Sequence, residues 1–253
     1  MSVSGWDIAE FGRTVRDGML HLVFPNDCWT CDETLRLGER LVCEGCRPQL
    51  TVDPNPACPR CSSTVGPHLL LDSSVGCPEC RGEKFGFQRA FRIGPYEGIL
   101  RKAIIRMKYR TGQGLADAMS LLWAGPMAQK LAGLKPDVIV PIPLHWMRRM
   151  VRGYNTCDFL GAALASELGV PCRTRLLRRV RATPPQVGLR SSTARKANVK
   201  RAFWARPDPT VAGKTIVLVD DVMTTGATAS AAARALRRHR PKAVVLAVLA
   251  HGR

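Results

Sequence analysis

The most informative segment of the sequence is Ile216-Val-Leu-Val-Asp220-Asp221-Val-Met-Thr-Thr-Gly-Ala-Thr228, and a helix-forming run begins directly after it at Ala229. Its four apolar residues predict a buried strand that ends in two carboxylates, followed by a loop of small residues and then a helix. Ligands collect at the carboxyl ends of the strands of a parallel sheet. Because the N-terminus of a helix offers free backbone N–H groups and a positive dipole end, the loop predicts a phosphate-binding site.

Small residues and hydroxyl groups fill this predicted loop. Gly226 lets the backbone approach a ligand closely, and Thr228 stands where the N-cap residue of the following helix is expected. The three threonines add hydroxyl donors. The carboxylates of Asp220 and Asp221 would repel a phosphate at contact distance, but they can accept hydrogen bonds from the hydroxyl groups of a sugar beside it.

Three other interpretations of the acidic strand compete with this one. The metal-binding strand of a P-loop NTPase needs a G-x-x-x-x-G-K-[ST] loop elsewhere. Gly213-Lys214-Thr215 is the only Gly-Lys-Thr, but Asp208 stands where the first Gly belongs, and a strand follows instead of a helix. A receiver-type acidic pocket leaves the threonine-rich turn unexplained, and a plain strand-turn-helix has no need of two buried acids.

The segment resembles the pyrophosphate-ribose signature of type I phosphoribosyltransferases across all 13 positions: four apolar residues, two acids, and a turn rich in Thr, Gly and Ala. The resemblance implies that Asp220 and Asp221, the candidate catalytic residues, bind the ribose hydroxyls. It also implies that the 5-phosphate is held by the residues of the turn, which are Met223, Thr224, Thr225, Gly226, Ala227 and Thr228.

Eight of the ten cysteines form four C-x-x-C pairs, separated by 11, 11 and 15 residues. Two such turns close one tetrahedral site of four thiolates, so the pattern predicts two structural zinc ions. Three assignments of the pairs to the ions are open. Neighbouring pairs are the default assignment: Cys28, Cys31, Cys43 and Cys46 for one ion, and Cys58, Cys61, Cys77 and Cys80 for the other.

Redox dithiols and iron–sulfur clusters are the alternatives for these cysteines. A redox C-x-x-C normally occurs once, at the start of a helix, and iron–sulfur clusters use other spacings. The remaining cysteines, Cys157 and Cys172, stand in apolar surroundings, and we expect them to fill the core.

The chain divides into three predicted parts. Residues 1–25 hold an amphipathic helix, with apolar residues at three- and four-residue steps. Residues 26–86 form a double zinc-ribbon domain that needs its metal because it is too small to bury a core. Residues 87–253 form a phosphoribosyltransferase-like domain. The predicted fold class is α/β: a type I phosphoribosyltransferase-like, mainly parallel sheet with helices on both faces, plus the small N-terminal zinc-ribbon domain.

Apolar runs and their periods place the elements of the C-terminal part. Residues 87–96 predict a strand or the start of a hairpin, and residues 173–206 predict mostly loop because they are dense in charge and proline. The other expected elements are strands at 137–141, 215–219 and 243–250, and helices at 99–109, 115–131, 154–168 and 229–238.

The net charge of +18 is carried wholly by the C-terminal part. Residues 1–90 contain 9 Lys and Arg against 12 Asp and Glu, and residues 91–253 contain 29 against 8. Such a field attracts phosphorylated ligands, nucleic acid or anionic lipid, although a basic composition also serves solubility. Since the sequence shows neither an apolar run of membrane-spanning length nor a signal-peptide pattern, we expect a cytoplasmic protein with no membrane insertion.

A zinc-ribbon segment joined to a phosphoribosyltransferase-like domain resembles the ComF family of competence proteins, and the resemblance covers nearly the whole chain. Thr156 departs from the family, which most often has Gln there, so the family's contact at this position is not carried over. The matching motifs outside the acidic loop are Phe24-Pro25, Ile105-Arg-Met-Lys108-Tyr109, Pro141-Ile-Pro143 with Arg148, Arg152-Gly-Tyr154-Asn155, and Gln186-x-x-Leu189 with Arg195, Asn198 and Ala202-Phe203.

By analogy with the family, the loop that contains Pro143 and Leu144 lies on the pyrophosphate side of the ligand. It follows a short buried strand, so it is expected at the same sheet edge as the acidic loop. Arg148, Arg149 and Arg152 follow it and can meet phosphate oxygens with forked, charge-assisted hydrogen bonds.

Three further residues complete the candidate set. Arg190 and Arg195 lie on a long loop that can fold over the site, and Tyr154 is a candidate ligand contact. The alternative for any single arginine is a solvated surface charge, and a tyrosine packs more often than it reacts.

Two functions fit these observations. The first is enzymatic use of 5-phosphoribosyl 1-pyrophosphate or a nucleotide-like ligand, with Mg²⁺ held mostly by pyrophosphate oxygens and water. The sequence shows no identifiable acceptor site and no general base for this reaction. The second, implied by the ComF resemblance and the positive charge, is a non-catalytic accessory protein of the competence machinery. It would bind single-stranded DNA and keep the pocket as a scaffold or regulatory site.

Overall fold

The computed structural model describes residues 27–36, 39, 41–67, 71, 75–181 and 202–252. The predicted N-terminal helix and the loop that carries Arg190 and Arg195 therefore lie outside the described residues. No helix in these ranges combines the length and the apolar character that a membrane span requires.

A parallel sheet forms the centre of the protein. The α-helices and strands, in chain order, are α1 (Arg47–Thr51), β1 (Ala90–Phe91), β2 (Gly94–Pro95), α2 (Gly98–Arg106), α3 (Gln113–Leu131), β3 (Val138–Pro141), α4 (Trp146–Arg152), α5 (Thr156–Leu168), β4 (Leu177–Arg179), β5 (Phe203–Ala205), β6 (Thr215–Met223), α6 (Ala227–Arg237) and β7 (Ala243–His251). The sheet order is β1-β7-β6-β3, and β2 also pairs with β7. Every one of these pairs is parallel, which confirms the predicted fold class.

Three details differ from the sequence-based expectations. Strands β1 and β2 do not form a hairpin, because both pair in parallel with β7. Strand β6 does not end before the acidic pair, because its pairing with β7 continues to Met223 opposite His251. The segment 173–206 was expected to be mostly loop, and within its described part β4 and β5 form an antiparallel pair that was not predicted.

Two hydrophobic cores flank the sheet, and each includes one group of four cysteines. On one face, Val217 and Val219 of β6 pack with α2, α3, α5 and the first group. On the other face, Ile216 and Leu218 pack with α6, the β4–β5 pair and the second group. Successive side chains of a strand point to opposite faces, so β6 organises both cores. Each half of the cysteine segment therefore shares a core with one face of the sheet.

Buried polar contacts fasten the cysteine segment to the edge of the sheet. Arg92, between β1 and β2, donates to Asp53 at 2.8 Å, and only 1% and 6% of the two side chains are exposed. Removal of one partner from such a pair is costly because it leaves a buried charge uncompensated. The Arg89 guanidinium donates to the carbonyl oxygen of Pro59 at 3.1 Å. These contacts fix the cysteine segment relative to the ligand edge described next.

Candidate functional site

The eight paired cysteines form two clusters that fit zinc. Within each cluster the four sulfur atoms lie within 4.8 Å of one another, and the clusters join neighbouring pairs along the chain. The Sγ–Sγ distances include 3.7 Å for Cys31 and Cys43 and 3.6 Å for Cys61 and Cys77. Four thiolates arranged tetrahedrally at about 2.3 Å from zinc are about 3.8 Å apart. The two structural zinc sites and the neighbouring assignment are therefore confirmed.

The acidic pair lies at the carboxyl edge of the sheet, where β3 ends beside Val219 of β6 and β6 continues to Met223. Pro141 of β3 is level with Val219 of β6, and the backbone N–H of Ile142 donates to the Val219 carbonyl oxygen at 2.8 Å. The chain from Pro143 onwards thus leaves the sheet beside Asp220. This is the position that the sequence predicted for the pyrophosphate-side loop.

The two neighbouring carboxyl groups have opposite pKa shifts. Burial would raise the pKa of Asp221, but the Lys108 ammonium, whose Nζ lies 3.0 Å from Asp221 Oδ2, lowers it below the usual value with help from Arg152. Burial, and then the negative charge of Asp221, raise the pKa of Asp220 to about 7. The pair therefore holds one fixed negative charge and one proton that exchanges near neutral pH.

Cys157 lies in direct contact with Asp220. Its Sγ donates to Asp220 Oδ1 at 3.5 Å. Burial and the nearby carboxylates raise the pKa of this thiol well above its ordinary value. Because only the thiolate is a strong nucleophile, the buried thiol acts here as a hydrogen-bond donor. Cys157 fills the core as expected and also contacts the site.

Tyr154 fixes the turn that carries Lys108. The Tyr154 side chain is buried, its hydroxyl donates to the carbonyl oxygen of Met107, and it lies 3.0 Å from the carbonyl oxygen of Tyr109. Both carbonyls flank Lys108. The Tyr154 hydroxyl thus holds the backbone on both sides of Lys108, and its contact with a ligand stays a prediction.

The first zinc cluster is hydrogen-bonded, through Arg106, to the same segment of chain. Arg106 donates to the carbonyl oxygen of Trp29 and, at 2.7 Å, to Asp32 Oδ1. Trp29 lies within the Cys28–Cys31 turn and Asp32 follows it directly. Arg106 therefore links the first zinc site to the segment that carries Lys108.

Gly226 shapes the predicted phosphate loop. Helix α6 begins at Ala227, so Gly226 is its N-cap residue with φ of 68°. The prediction of Thr228 as N-cap was wrong, because Thr228 lies within the first turn. A Cβ atom at Gly226 would lie 2.9 Å from Met223 Cε and 3.1 Å from Phe85 Cε1. Glycine is thus required both by the left-handed backbone and by the Phe85 ring from the second cysteine segment.

Other members of the loop are consistent with a ligand. The Oγ1 atom of Thr225 is buried without a hydrogen-bond partner among the residues that the structure describes. Buried polar atoms are normally hydrogen-bonded, so this hydroxyl marks a place where a ligand would complete the site. Thr156 Oγ1, at the start of α5, is also buried without a hydrogen-bond partner among the described residues. Thr156 stands where the family most often has the longer Gln.

The arginines are divided between the site and its surroundings. Arg148 and Arg152 are half-buried on α4, whereas Arg149 pairs with Asp158 at 3.5 Å. Burial, and then the positive charge of Arg148, lower the pKa of Arg179 on β4. Like charges held close together at one edge attract anions. Arg195 lies outside the described residues, so its role stays a prediction.

Four residues of this site were absent from the set predicted from the sequence. Lys108 and Asn155 belong to motifs that the chain shares with the ComF family. The Asn155 side chain donates to the Ile142 carbonyl oxygen at 3.2 Å. Cys157 and Arg179 gave no local signal. Their places depend on the packing of α5 and on the β4–β5 pair.

Two family models and several known proteins match this chain. Residues 19–81 match the double zinc ribbon domain and residues 157–253 match the phosphoribosyl transferase domain. The chain is 33% identical over 226 residues to the DNA utilization protein YhgH of Escherichia coli K12. The aligned residues cover 88% of this chain and 96% of the relative. The chain is 30% identical over 215 residues to competence protein F of Haemophilus influenzae, covering 83% and 90%.

The chain belongs to the ComF family. A more distant relative is competence protein ComFC of Bacillus subtilis, 25% identical over 196 residues and covering 77% of each chain. This ComF protein therefore combines a phosphoribosyltransferase-like domain with two structural zinc sites. The resemblance noted from the motifs is confirmed.

Substitution of Tyr154 tests how the Lys108 turn is held. Tyr154→Phe leaves the buried Met107 carbonyl without its donor, so we expect the free energy of unfolding to fall by about 0.5–1.5 kcal/mol. Tyr109→Phe is the matched control, because 63% of that side chain is exposed. Urea unfolding of both zinc-loaded variants measures the difference, and equal effects would show that the Tyr154 hydroxyl stabilises nothing.

The raised pKa of Asp220 predicts a pH dependence of stability. An unfolded Asp titrates near about 3.9, so the folded protein holds this proton more tightly. The stabilisation is complete at low pH and is lost as the pH rises through the folded pKa of about 7.

Asp220→Asn keeps the shape of the side chain but does not titrate. We therefore expect wild type to lose stability relative to this variant between about pH 4 and pH 7, and the difference to level off above about pH 8. Urea titrations at several pH values measure it. A difference that does not change with pH contradicts the assignment.

Proposed function

We propose that this ComF protein binds 5-phosphoribosyl 1-pyrophosphate, or a related ribose 5-phosphate ligand, together with Mg²⁺. The observation that carries the proposal is the acidic pair, which lies beside the N-terminus of α6 at the carboxyl edge of the sheet. Asp221 keeps a fixed negative charge, and Asp220 exchanges a proton near neutral pH. Sugar hydroxyls and a phosphate are the two groups that such neighbours bind together.

Each part of the ligand has a counterpart at this edge. The backbone N–H groups after Gly226 and the hydroxyl of Thr225 suit the 5-phosphate. Asp220 and Asp221 suit the two ribose hydroxyls. Arg148, with the neighbouring Arg179, suits the pyrophosphate. Mg²⁺ would be held mostly by pyrophosphate oxygens and water and would neutralise part of the pyrophosphate charge.

The same arrangement suits transfer of the phosphoribosyl group. An acceptor nucleophile would bond to the ribose C1 as the bond from C1 to pyrophosphate breaks, and the fixed charge of Asp221 at the ribose position would stabilise the positive charge that develops there. The pKa of about 7 lets Asp220 release or accept a proton near neutral pH. We propose these two residues as the catalytic carboxylates.

We further propose that the protein acts in the uptake or processing of DNA in the cytoplasm. Of the three relatives described above, two are named as competence proteins and one as a DNA utilization protein. The excess of positive charge in residues 91–253 is suited to a polyanionic partner. A reducing compartment also suits the cysteine clusters, since it keeps thiols free for zinc.

Calorimetric titration of zinc-loaded protein with 5-phosphoribosyl 1-pyrophosphate and Mg²⁺ tests the binding proposal. Loss of two hydrogen bonds to charged groups in Asp220→Ala/Asp221→Ala should weaken binding by about 100-fold or more. Asp117→Ala/Glu167→Ala is the matched control, because it removes two exposed acids from α3 and α5. It should bind as wild type does.

Failure of the folded, zinc-loaded wild type to bind would contradict the proposal. The pocket would then be a scaffold, and DNA binding without phosphoribosyl chemistry would remain as the function.

A further inference from the structure

The β4–β5 pair presents an exposed tryptophan opposite an exposed arginine. Leu177, Phe203 and Ala205 face the core and are buried. The alternate side chains point outwards: Arg178 and Trp204 are directly paired across the two strands, and 42% of Trp204 is exposed. An exposed aromatic ring beside a guanidinium is a platform on which a planar base can stack.

A basic pocket adjoins this platform. It has a volume of about 430 Å³ and includes Arg173, Arg175 and Arg206 in its lining. Arg206 follows directly after Ala205, the last paired residue of β5. Its backbone N–H donates to the Leu176 carbonyl oxygen at 2.8 Å, which places it beside the strand pair. We call these three residues the arginine pocket.

Positive charge dominates the arginine pocket. Its one carboxylate, Asp208, accepts from the N–H and the hydroxyl of Thr210 at 3.0 and 2.6 Å. Within the described ranges of the chain, none of the three arginines forms an ion pair. Guanidinium groups bind phosphate oxygens through paired, charge-assisted hydrogen bonds.

We propose that Trp204, Arg178 and the arginine pocket form a binding surface for single-stranded nucleic acid. One base stacks on Trp204, and the backbone phosphates next to it lie in the arginine pocket. A single strand is the partner that offers both groups at once, because the bases of a duplex are stacked on one another and leave no face for the ring. The inference does not depend on the proposed ribose-phosphate function, since neither Asp220 nor Asp221 takes part.

A second exposed tryptophan has different neighbours. Trp146 lies on α4, where Met147, Met150 and Val151 are also exposed by 52%, 74% and 73%. Such an apolar face is typical of a protein contact or a membrane surface. Trp146 therefore gives a comparison: the same residue type, 61% exposed against 42% for Trp204, on a helix whose arginines are Arg148, Arg149 and Arg152.

Strand β4 connects this surface with the ligand edge. Arg178 points outwards to Trp204, whereas its neighbour Arg179 is stacked on the Phe203 ring at 5.4 Å and lies near Arg148. The two sites are thus on opposite sides of one short strand. A nucleic acid strand and a ribose-phosphate ligand can be bound at the same time.

Fluorescence anisotropy with a labelled 20-nucleotide oligo(dT) tests the stacking contact. Trp204→Ala should weaken binding by about 5- to 100-fold, the range for loss of one stacked base. Trp204→Phe should retain most of the affinity, and Trp146→Ala should retain all of it. Circular dichroism of each variant separates loss of binding from loss of folding.

The salt dependence tests the phosphate contacts. Arg175→Gln/Arg206→Gln should flatten the slope of log affinity against log salt concentration by about 1.4, at about 0.7 per phosphate on a single strand. Arg36→Gln/Lys102→Gln removes two exposed charges elsewhere and should leave the slope nearly unchanged.

Three results would overturn the inference. The first is loss of oligo(dT) binding in Trp146→Ala but not in Trp204→Ala. The second is equal competition by a 20-base-pair duplex, which would show that no base stacks on the ring. The third is binding to phosphatidylserine vesicles without any binding to oligo(dT), which would assign the basic surface to a membrane.

Discussion

Two adjacent buried carboxyl groups cannot both carry a charge at low cost, and the one that does is selected by Lys108. Its ion pair with Asp221 fixes one negative charge, and that charge then helps to raise the pKa of Asp220. The different charge states of the pair follow from this contact together with the burial of both groups. A pair that accepts from hydroxyl groups and keeps one negative charge fits the ribose that we propose as the ligand.

The zinc sites matter to the ligand edge because they hold its parts in place. The first cluster is joined through Trp29 and Arg106 to the segment that carries Lys108. The second is followed by Phe85, whose ring lies against Gly226 at the start of α6. A metal with no catalytic role thus supports both the acidic pair and the phosphate loop. This explains in physical terms why a small cysteine segment and a sheet domain occur in one chain.

Local patterns in the sequence were sufficient for the fold class, the acidic loop and the cysteine clusters. Apolar runs such as Ile216–Val219 predict buried strands, and C-x-x-C spacing predicts zinc, because neighbours along the chain dictate both. The positions of Tyr154, Cys157 and Trp204 could not be predicted in the same way. Each depends on which distant element packs against it, and no periodicity in a single segment records that. Thr228 was wrongly expected to cap α6 because the helix begins one residue after Gly226.

The most direct measurement of the central claim is a double-mutant cycle on Lys108→Met and Asp221→Asn, by urea unfolding of zinc-loaded protein near pH 7.5. If the ion pair supports the site as described, each single variant leaves a half-buried charge without its partner, and the double variant does not. We expect a coupling free energy of about 0.5–3 kcal/mol between the two substitutions. Single effects that add to within about 0.3 kcal/mol would contradict it.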